Sequence, residues 1–485
     1  MFAPSLAQGA TGERRIELVM SKLAKPRPPL PPGPYLVVGL ARSGAAVART
    51  LAERGEEVVG VDSGSPPEAA GLDGTGVEVH TDVDGSELLP RVNAVIKSPG
   101  VPNQAPVIAA ARERGTPVIG ELEASWRLVP NCFVAVTGTN GKTTVTELAG
   151  HLWRTAGEPV AVAGNVGTPL ASLVDELDPR ATVVCEASSF QLEDSESFAP
   201  ECAVFLNLTP DHLDRHGSLD EYLEAKLRIF ANQSNDDLAV YNGDEPALEG
   251  RDLGGCARRV AFCRGRGGDP DSTNYRSPSV TSCELALDEG VIFWGDEPLV
   301  EASELRLVGP HNVENAMAAA AAALTMGLPR EAVVDGLRSF GGVPHRLERI
   351  AEIDGVLYVN DSKATNVAAA AAALRSFEGG VRAILGGSLK GGGFEDLAEP
   401  VAERCVACYL IGEAADQLAE DLAAIHGAGI ELRHCDGLTE AVRAAAADAS
   451  PGEVVLLAPA CASFDQYRDF EERGEHFRAL VEELR

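Results

Sequence analysis

NCFVAVTGTNGKTTVT, Asn131 to Thr146, changes character twice along its length. Phe133 to Val136 is a short apolar, β-branched run of the kind that forms a buried parallel strand. The glycine-bearing turn Thr137 to Thr144 follows, and then a helical pattern sets Leu148, Leu152 and Trp153 on one side. Strand, glycine turn and helix N-terminus together aim backbone N–H groups and a helix dipole at a phosphate. Gly138, Thr139, Asn140, Gly141 and Thr144 are therefore expected to cradle a nucleotide. Lys142 is expected at the β- and γ-phosphates and the Thr143 hydroxyl on Mg²⁺. Val136 stands where the general phosphate-loop pattern has its first glycine. An ordinary helix entry would leave the two glycines and the lysine without a purpose.

Upstream, Tyr35 to Val38 reads as a strand, Gly39 to Gly44 as a turn into a helix ending near Arg54, and Glu57 to Val61 as a second strand ending at Asp62. An acid about 20 residues after a glycine turn suggests a dinucleotide-binding opening. Ala41, however, replaces the middle glycine that lets the backbone approach a pyrophosphate, so a helix N-terminus receiving another phosphorylated ligand fits better than NAD. Ala94 to Ile96 is another strand, and the loop Lys97-Ser98-Pro99-Gly100-Val101-Pro102 lies where open α/β sheets bind ligands. Residues 1–34 contain KPRPPLPPGP, which reads as an extended, flexible extension. Met20 is a second candidate start.

Downstream, three more strand ends carry polar residues: Gly164-Asn165-Val166-Gly167, Glu186 to Gln191, and Asn207 to Asp214. In a parallel sheet they share an edge with the phosphate loop, so Glu186 is expected to complete a Mg²⁺ shell and His212, beside Asp211, to contact a ligand. Ser218 to Glu221 reads as a capping box opening a helix with Tyr222, Leu223, Lys226 and Phe230. On spacing alone Lys226 is a snorkelling surface lysine. Residues from about Leu238 to Leu307 alternate like strands, with a turn at Asp288-Glu289-Gly290. His311 to Asn315 opens an alanine-rich helix whose polar end is expected to face a nucleotide. From about Pro344 a third βα unit follows, with strands at Val356–Val359, Ala383–Leu385 and Val454–Leu457, each followed by polar residues. The organisation expected is α/β with three domains: an extension over 1–34, a Rossmann-like unit over 35–127, a central ATPase-like parallel sheet with an added β region over 128–343, and a Rossmann-like unit over 344–485.

Composition bounds the function. The 485 residues suffice for about three domains. A hydrophobic content of 45% and a charged content of 24% are those of an ordinary globular chain. No apolar run approaches the roughly 20 residues of a membrane span, and no secretory pattern opens the chain, so a cytoplasmic location without membrane insertion is expected. The 41 Lys and Arg against 73 Asp and Glu leave a formal charge of −32, which repels nucleic acid at long range. Anionic substrates must then be held by local cations, metal ions and helix ends. The ten scattered cysteines suit a reducing compartment, and Cys405 and Cys408, the lone CxxC, read as strand-side thiols.

TGTNGKTT, CEASSFQLE, LTPDHLDRH, GPHNVENA, PHRLE, NDSKATN and PACASFDQ, in this order, resemble the Mur ligases of peptidoglycan synthesis, over about Tyr35 to the C-terminus. The last six together are similar to the branch that adds D-glutamate. The resemblance implies ATP-dependent joining of D-glutamate to UDP-N-acetylmuramoyl-L-alanine through an acyl phosphate, by a monomer. It implies that Lys142 and Thr143 hold the ATP phosphates and Mg²⁺ with Glu186. His212 and Lys226, the latter carrying a carbamate derived from CO₂, would hold a second Mg²⁺. Asn165, Ser98 and His212 would contact the UDP-sugar, with Leu40 and Ala41 beside the uracil. Asn312, Arg346 and Asp361 would hold ATP, while Lys363, Thr365, Lys390, Ser463 and the backbone at Phe470 would bind glutamate. Lys142, His212, Lys226 and Lys363 would be the catalytic set. The chain departs from relatives at Asp62-Ser63-Gly64, where they place an arginine on the uridine phosphates, and at Ser388, where some carry an acid. The competing readings are another Mur-type or folylpolyglutamate-type ligase and, in a different class, a P-loop ATPase that ligates nothing. A folylpolyglutamate synthetase would lack the Tyr35 to Arg127 unit.

Overall fold

The computed structural model describes residues 25–265, 283–307, 309–389, 393–423 and 430–485. Three sheets organise them. The first comprises β1 (Tyr35–Val38), β2 (Val58–Val61), β3 (Glu78–His80), β4 (Ala94–Lys97) and β5 (Val118–Gly120), in the order β3-β2-β1-β4-β5. All its pairs are parallel. β1 and β4 are buried along their whole length, as expected of short Val- and Ile-rich runs covered on both faces. The order reverses between β1 and β4, and α1 (Arg42–Glu53) starts at that crevice.

The second sheet comprises β6 (Cys132–Thr137), β7 (Val160–Gly164), β8 (Thr182–Glu186), β9 (Cys202–Phe205), β10 (Leu238–Asn242), β11 (Arg258–Arg264), β12 (Leu285–Asp288), β13 (Val291–Trp294) and β14 (Glu297–Glu301). Its order is β14-β13-β12-β11-β10-β9-β6-β8-β7. It is parallel from β7 to β12, and β13 and β14 return antiparallel through the expected turn, where Glu289 and Gly290 have φ of 46° and 83°. Its helices include α2 (Lys142–Thr155), α3 (Ser189–Leu192), α4 (Leu213–His216), α5 (Leu219–Ala231) and α6 (Pro310–Thr325). The Ser218 side chain accepts from the Glu221 N–H and caps α5. Cys263, on β11, and Cys283, two residues before β12, form a disulfide, a pairing that the reading of scattered cysteines did not anticipate. Cys405 and Cys408 are both buried on one strand.

The third sheet comprises β15 (Glu348–Ile353), β16 (Val356–Asn360), β17 (Val381–Gly386), β18 (Cys405–Ile411), β19 (Glu431–His434) and β20 (Val454–Leu457), in the order β15-β16-β20-β17-β18-β19. Only β15 is antiparallel to its neighbour. Apolar clusters cover both faces, and α7 (Phe470–Glu483) closes one of them through Phe477, Leu480 and Val481. The chain divides at Phe340/Gly341 into two compact units, with the first two sheets together and the third by itself. Among the described residues no helix is long and apolar enough to cross a membrane.

The proline-rich extension corrects its reading in part: residues 1–24 lie outside the described residues, but Lys25 to Pro34 is held. Lys25 pairs with the buried Asp237. Arg27 lies 4.4 Å over the Trp126 ring, donates to the Asn131 carbonyl at 2.7 Å and pairs with Glu201.

Candidate active site

The loop between β6 and α2 is built on two glycines with positive φ, Gly138 at 157° and Gly141 at 83°. A Cβ at Gly141 would fall 2.3 Å from Asn315 Oδ1, so α6 lies directly against the loop. Asn207 splints it: its carbonyl accepts from the Thr139 N–H at 3.0 Å and its side-chain oxygen from the Asn140 N–H at 2.8 Å. Lys142 Nζ donates to the Gly138 and Thr139 carbonyls at 3.0 and 2.7 Å, folded back over the loop it would serve. Thr143, at the first turn of α2, donates its hydroxyl to Glu186 Oε2 at 2.7 Å. Asn165 Nδ2 donates to the other oxygen, Oε1, at 3.1 Å. Glu186 is the last residue of β8 and is buried. Hydroxyl and carboxylate at the phosphate-facing end of a helix form the hard-oxygen donor set that Mg²⁺ accepts.

Lys226 overturns the snorkelling reading. It is 1% exposed, and its Nζ donates to the Gly138 carbonyl at 2.7 Å and lies 4.3 Å from the Tyr222 ring centre. Burial, and then the Lys142 charge, push its pKa down to about 7. His212 sits in a left-handed turn with φ of 51°, its ring 4.9 Å from Phe190 and its side chain half exposed. The described residues contain no group of three or more His, Cys, Asp or Glu placed around a metal. Thr143, Glu186, Asn165 and, through Gly138, Lys226 are thus brought together, and His212 adjoins them through the Tyr222 ring, which lies 6.4 Å from its own and 4.3 Å from Lys226 Nζ. Mg²⁺ takes only one or two carboxylates with water and phosphate oxygens, so such a sparse protein set fits it.

At the first sheet's crevice, Asp62 takes the place of an anion on the β1–α1 loop: Oδ2 accepts from the Leu40 N–H at 2.7 Å and Oδ1 from the Gly64 N–H at 2.8 Å. Ser98 Oγ donates to the Gly39 carbonyl at 2.7 Å. The Leu40 side chain is wholly buried in the core, which leaves only its backbone and the exposed Ala41 to meet a ligand. Asn312 accepts from Asn315 Nδ2 at 3.2 Å, on the turn of α6 that adjoins Gly141.

In the third sheet's unit, Asp361 follows β16, accepts from the Leu347 N–H at 3.1 Å and is 6% exposed. Burial pushes its carboxyl up to about 6, against the opposing pull of the Leu347 N–H, Arg346 and Lys363. The Lys363 backbone N–H donates to the His345 carbonyl at 3.0 Å, and the Thr365 N–H to Lys363 O at 2.8 Å. Arg346 is exposed and Ser463 buried. The Phe470 carbonyl accepts from Ser362 Oγ at 2.8 Å. Ser388 Oγ donates to Asp465 at 3.1 Å, so the serine keeps an acid at hand. Lys390 lies outside the described residues.

Sequence reasoning missed three residues. Asn207 was quoted only as part of a strand end. Asn315 was one asparagine in a polar helix start. Arg473, in the charged segment EERGE, looks like a surface residue but is 1% exposed. Its guanidinium donates to Ser362 Oγ at 3.0 Å and to the Ser362, Cys461 and Ala462 carbonyls at 2.9, 3.1 and 3.1 Å. It thereby ties together the loops after β16 and β20 that carry Lys363 and Ser463.

Residues 34–120 match the Mur ligase MurD-like N-terminal domain, 136–323 the Mur ligase middle domain, and 345–461 the Mur ligase, glutamate ligase domain. The UDP-N-acetylmuramoylalanine–D-glutamate ligase of Pelotomaculum thermopropionicum is 41% identical over 93% of this chain and 97% of its own. The enzyme of the same name from Geobacter metallireducens is 42% identical at the same coverage. The crystal structure of UDP-N-acetylmuramate–alanine ligase from Thermotoga maritima, at 20% identity, aligns over 93% of this chain and 100% of its own with a TM-score of 0.55, which shows a shared fold. With near-full-length relatives at this identity, and a domain model for each of the three sheets, the chain belongs to the Mur ligase family.

Proposed function

We propose that this chain joins D-glutamate to UDP-N-acetylmuramoyl-L-alanine with hydrolysis of ATP to ADP and phosphate. The observation that carries the reading is the cluster gathered around the phosphate loop: buried Thr143, Glu186 and Lys226, with the exposed Asn165 at its rim. Near-full-length similarity to relatives that bear this ligase's name supports it. The division of labour follows the sequence: residues 35–127 take the UDP-sugar through Ala41, the Leu40 backbone and Ser98, 128–343 take ATP, and 344–485 take glutamate through Lys363, Thr365, Lys390, Ser463 and Phe470. The reaction uses nucleotide-linked substrates of the cytoplasm and requires a single chain.

A carboxylate acylates poorly, so the alanyl carboxylate oxygen first attacks the γ-phosphorus of ATP, giving an acyl phosphate and ADP. The glutamate nitrogen then attacks the acyl carbon, an N–H proton leaves, the C–O bond to phosphate breaks, and an amide remains. Lys142 and the loop N–H groups neutralise the transferring phosphoryl oxygens. Mg²⁺, when bound, offsets the charge of the anions brought together; Thr143 and Glu186 would hold one ion and His212 with Lys226 a second. An ammonium offers three donors and no acceptor, so Lys226 serves a metal only as its carbamate. Burial lowers the pKa of its amine to about 7, which favours the neutral form that reacts with CO₂. Asn312, Arg346 and Asp361 orient the nucleotide. ADP release measured with each substrate omitted tests the reading. Strict dependence on both UDP-N-acetylmuramoyl-L-alanine and D-glutamate is expected, and ADP release without them would return the chain to the class of non-ligating ATPases.

A further inference from the structure

Arg215 stands outside every role assigned above, yet its guanidinium makes contact with two segments besides its own. Nη1 donates to the Pro99 carbonyl at 2.8 Å, Nη2 pairs with the Glu193 carboxylate, and the guanidinium carbon lies 4.0 Å from the centre of the Phe190 ring. Its side chain is 17% exposed, so these contacts are made largely away from water. Pro99 follows Ser98 in the loop after β4. Phe190 and Glu193 belong to the segment that leaves β8 after Glu186. Arg215 itself is on α4, the turn that follows His212.

The loop after β4 is tied on its other side by Lys97, which is fully buried, donates to the Val101 carbonyl at 2.8 Å and pairs with Asp194 at 2.7 Å. Asn103 Nδ2 reaches Glu193 at 3.4 Å. Two consecutive acids, Glu193 and Asp194, therefore hold the two ends of one strand-end loop, and Arg215 bridges its crest to the His212 turn. An arginine suits this post because one planar fork can stack on a ring and donate in two directions at once, which an ammonium cannot do.

We infer that Arg215 is a positioning residue for the UDP-sugar substrate. It sets the Ser98–Gly100 loop of the first sheet against Phe190 and the His212 turn of the second. The inference rests on the ligase reading above. It distinguishes Arg215 from a merely structural ion pair, because the loop it fixes lines the UDP-sugar side and not the phosphate loop or the glutamate loops.

The test uses the full chain with Arg215→Ala, Arg215→Lys and Glu193→Gln. Steady-state kinetics are run for each substrate, calorimetric binding of UDP-N-acetylmuramoyl-L-alanine is measured without ATP, and melting curves are recorded. Loss of a charge-assisted hydrogen bond in a desolvated setting is expected to raise KM and Kd for the UDP-sugar about tenfold in Arg215→Ala. KM for ATP and for D-glutamate should be unchanged. Arg215→Lys, which keeps a donor for Pro99 but loses the stack and the fork, should fall between Ala and wild type. Glu193→Gln should shift the same constant by less. Should Arg215→Ala fail to fold, the Lys and Gln variants decide. An unchanged UDP-sugar KM in folded variants, or an equal loss for all three substrates alongside a lower melting temperature, would overturn the inference. Wild-type protein that neither binds nor turns over the UDP-sugar would instead be the failure of the ligase reading.

Discussion

Lys226 is tied to the phosphate loop through one hydrogen bond, Nζ to the Gly138 carbonyl, and the proposed reaction gives it a carbamate. Lys226→Ala is expected to lose most activity. Lys226→Arg should do the same, since a guanidinium neither loses its charge nor forms a carbamate, and a short-chain carboxylic acid should restore part of the Ala variant's turnover. Normal activity in either variant would remove the carbamate from the mechanism. Asp361 carries a second prediction. Its carboxyl stands at about 6 in the fold, above the ordinary 3.8, because burial disfavours the ion. The folded state therefore binds more protons than the unfolded state between these values, and the ionised group weakens the fold fully above about pH 6 and progressively less down to about pH 4. Asp361→Asn should raise the melting temperature at pH 8, show no gain near pH 4, and lose ligase activity at both. An equal gain at the two pH values would contradict the assigned burial effect. These residues differ in legibility. The phosphate loop was legible because glycine, lysine and threonine have few other reasons to share such a turn. Lys226 was misread from spacing because Leu223, Leu227 and Phe230 define an apolar face, whereas α5 is buried over a wider arc that includes the lysine. Arg473 carried no signal at all, since its partners are mostly backbone carbonyls, in two loops that lie 111 residues away at Ser362 and 12 and 11 away at Cys461 and Ala462.

At the scale of elements, β1, β4 and β6 coincide with their expected strands to within a residue or two, and β7 to β9 end within two residues of the polar loops expected after them, because buried parallel strands are short apolar runs that glycine-rich turns punctuate. β15 escaped notice. ERIAEI mixes charge and apolar residues, which an edge strand tolerates because one side has no partner and one face meets water. The N-terminal strap escaped for another reason: proline content reads as an absence of structure, while the contacts are long-range ion pairs. Lys25 meets Asp237, whose side chain is 1% exposed, and Arg27 meets Glu201 at 8%. Removing the partner of a buried acid costs about 3 kcal/mol. Deleting residues 1–24 should therefore leave the first unfolding transition in place, whereas starting at Tyr35 should lower it measurably. The Asp237→Asn variant should recover part of that loss, because it removes the stranded charge. Equal melting curves for the two truncations would show that the strap contributes nothing.

Across the whole molecule the charge of −32 confronts substrates that are themselves anions. The cations that would receive them are set into loops: Lys142 is folded onto its own loop, and the turn Asp62-Ser63-Gly64 puts an acid and no cation beside the β1–α1 loop. Long-range repulsion and short-range attraction therefore act on different length scales. At about 0.01 M salt the Debye length is roughly 30 Å, comparable to a domain, and the approaching nucleotide meets the summed negative field. At about 0.15 M it falls to roughly 8 Å, which screens the distant surface while leaving contacts inside the loops little affected. The second-order rate constant kcat/KM for ATP and for the UDP-sugar should accordingly rise about twofold or more over this range at constant free Mg²⁺. kcat at saturation should stay flat, since it reports groups already in contact. A basic substrate channel would give the opposite slope. A fall in kcat/KM with added salt would therefore mean that local cations, Arg42 at the start of α1 among them, outweigh the acidic surface during encounter.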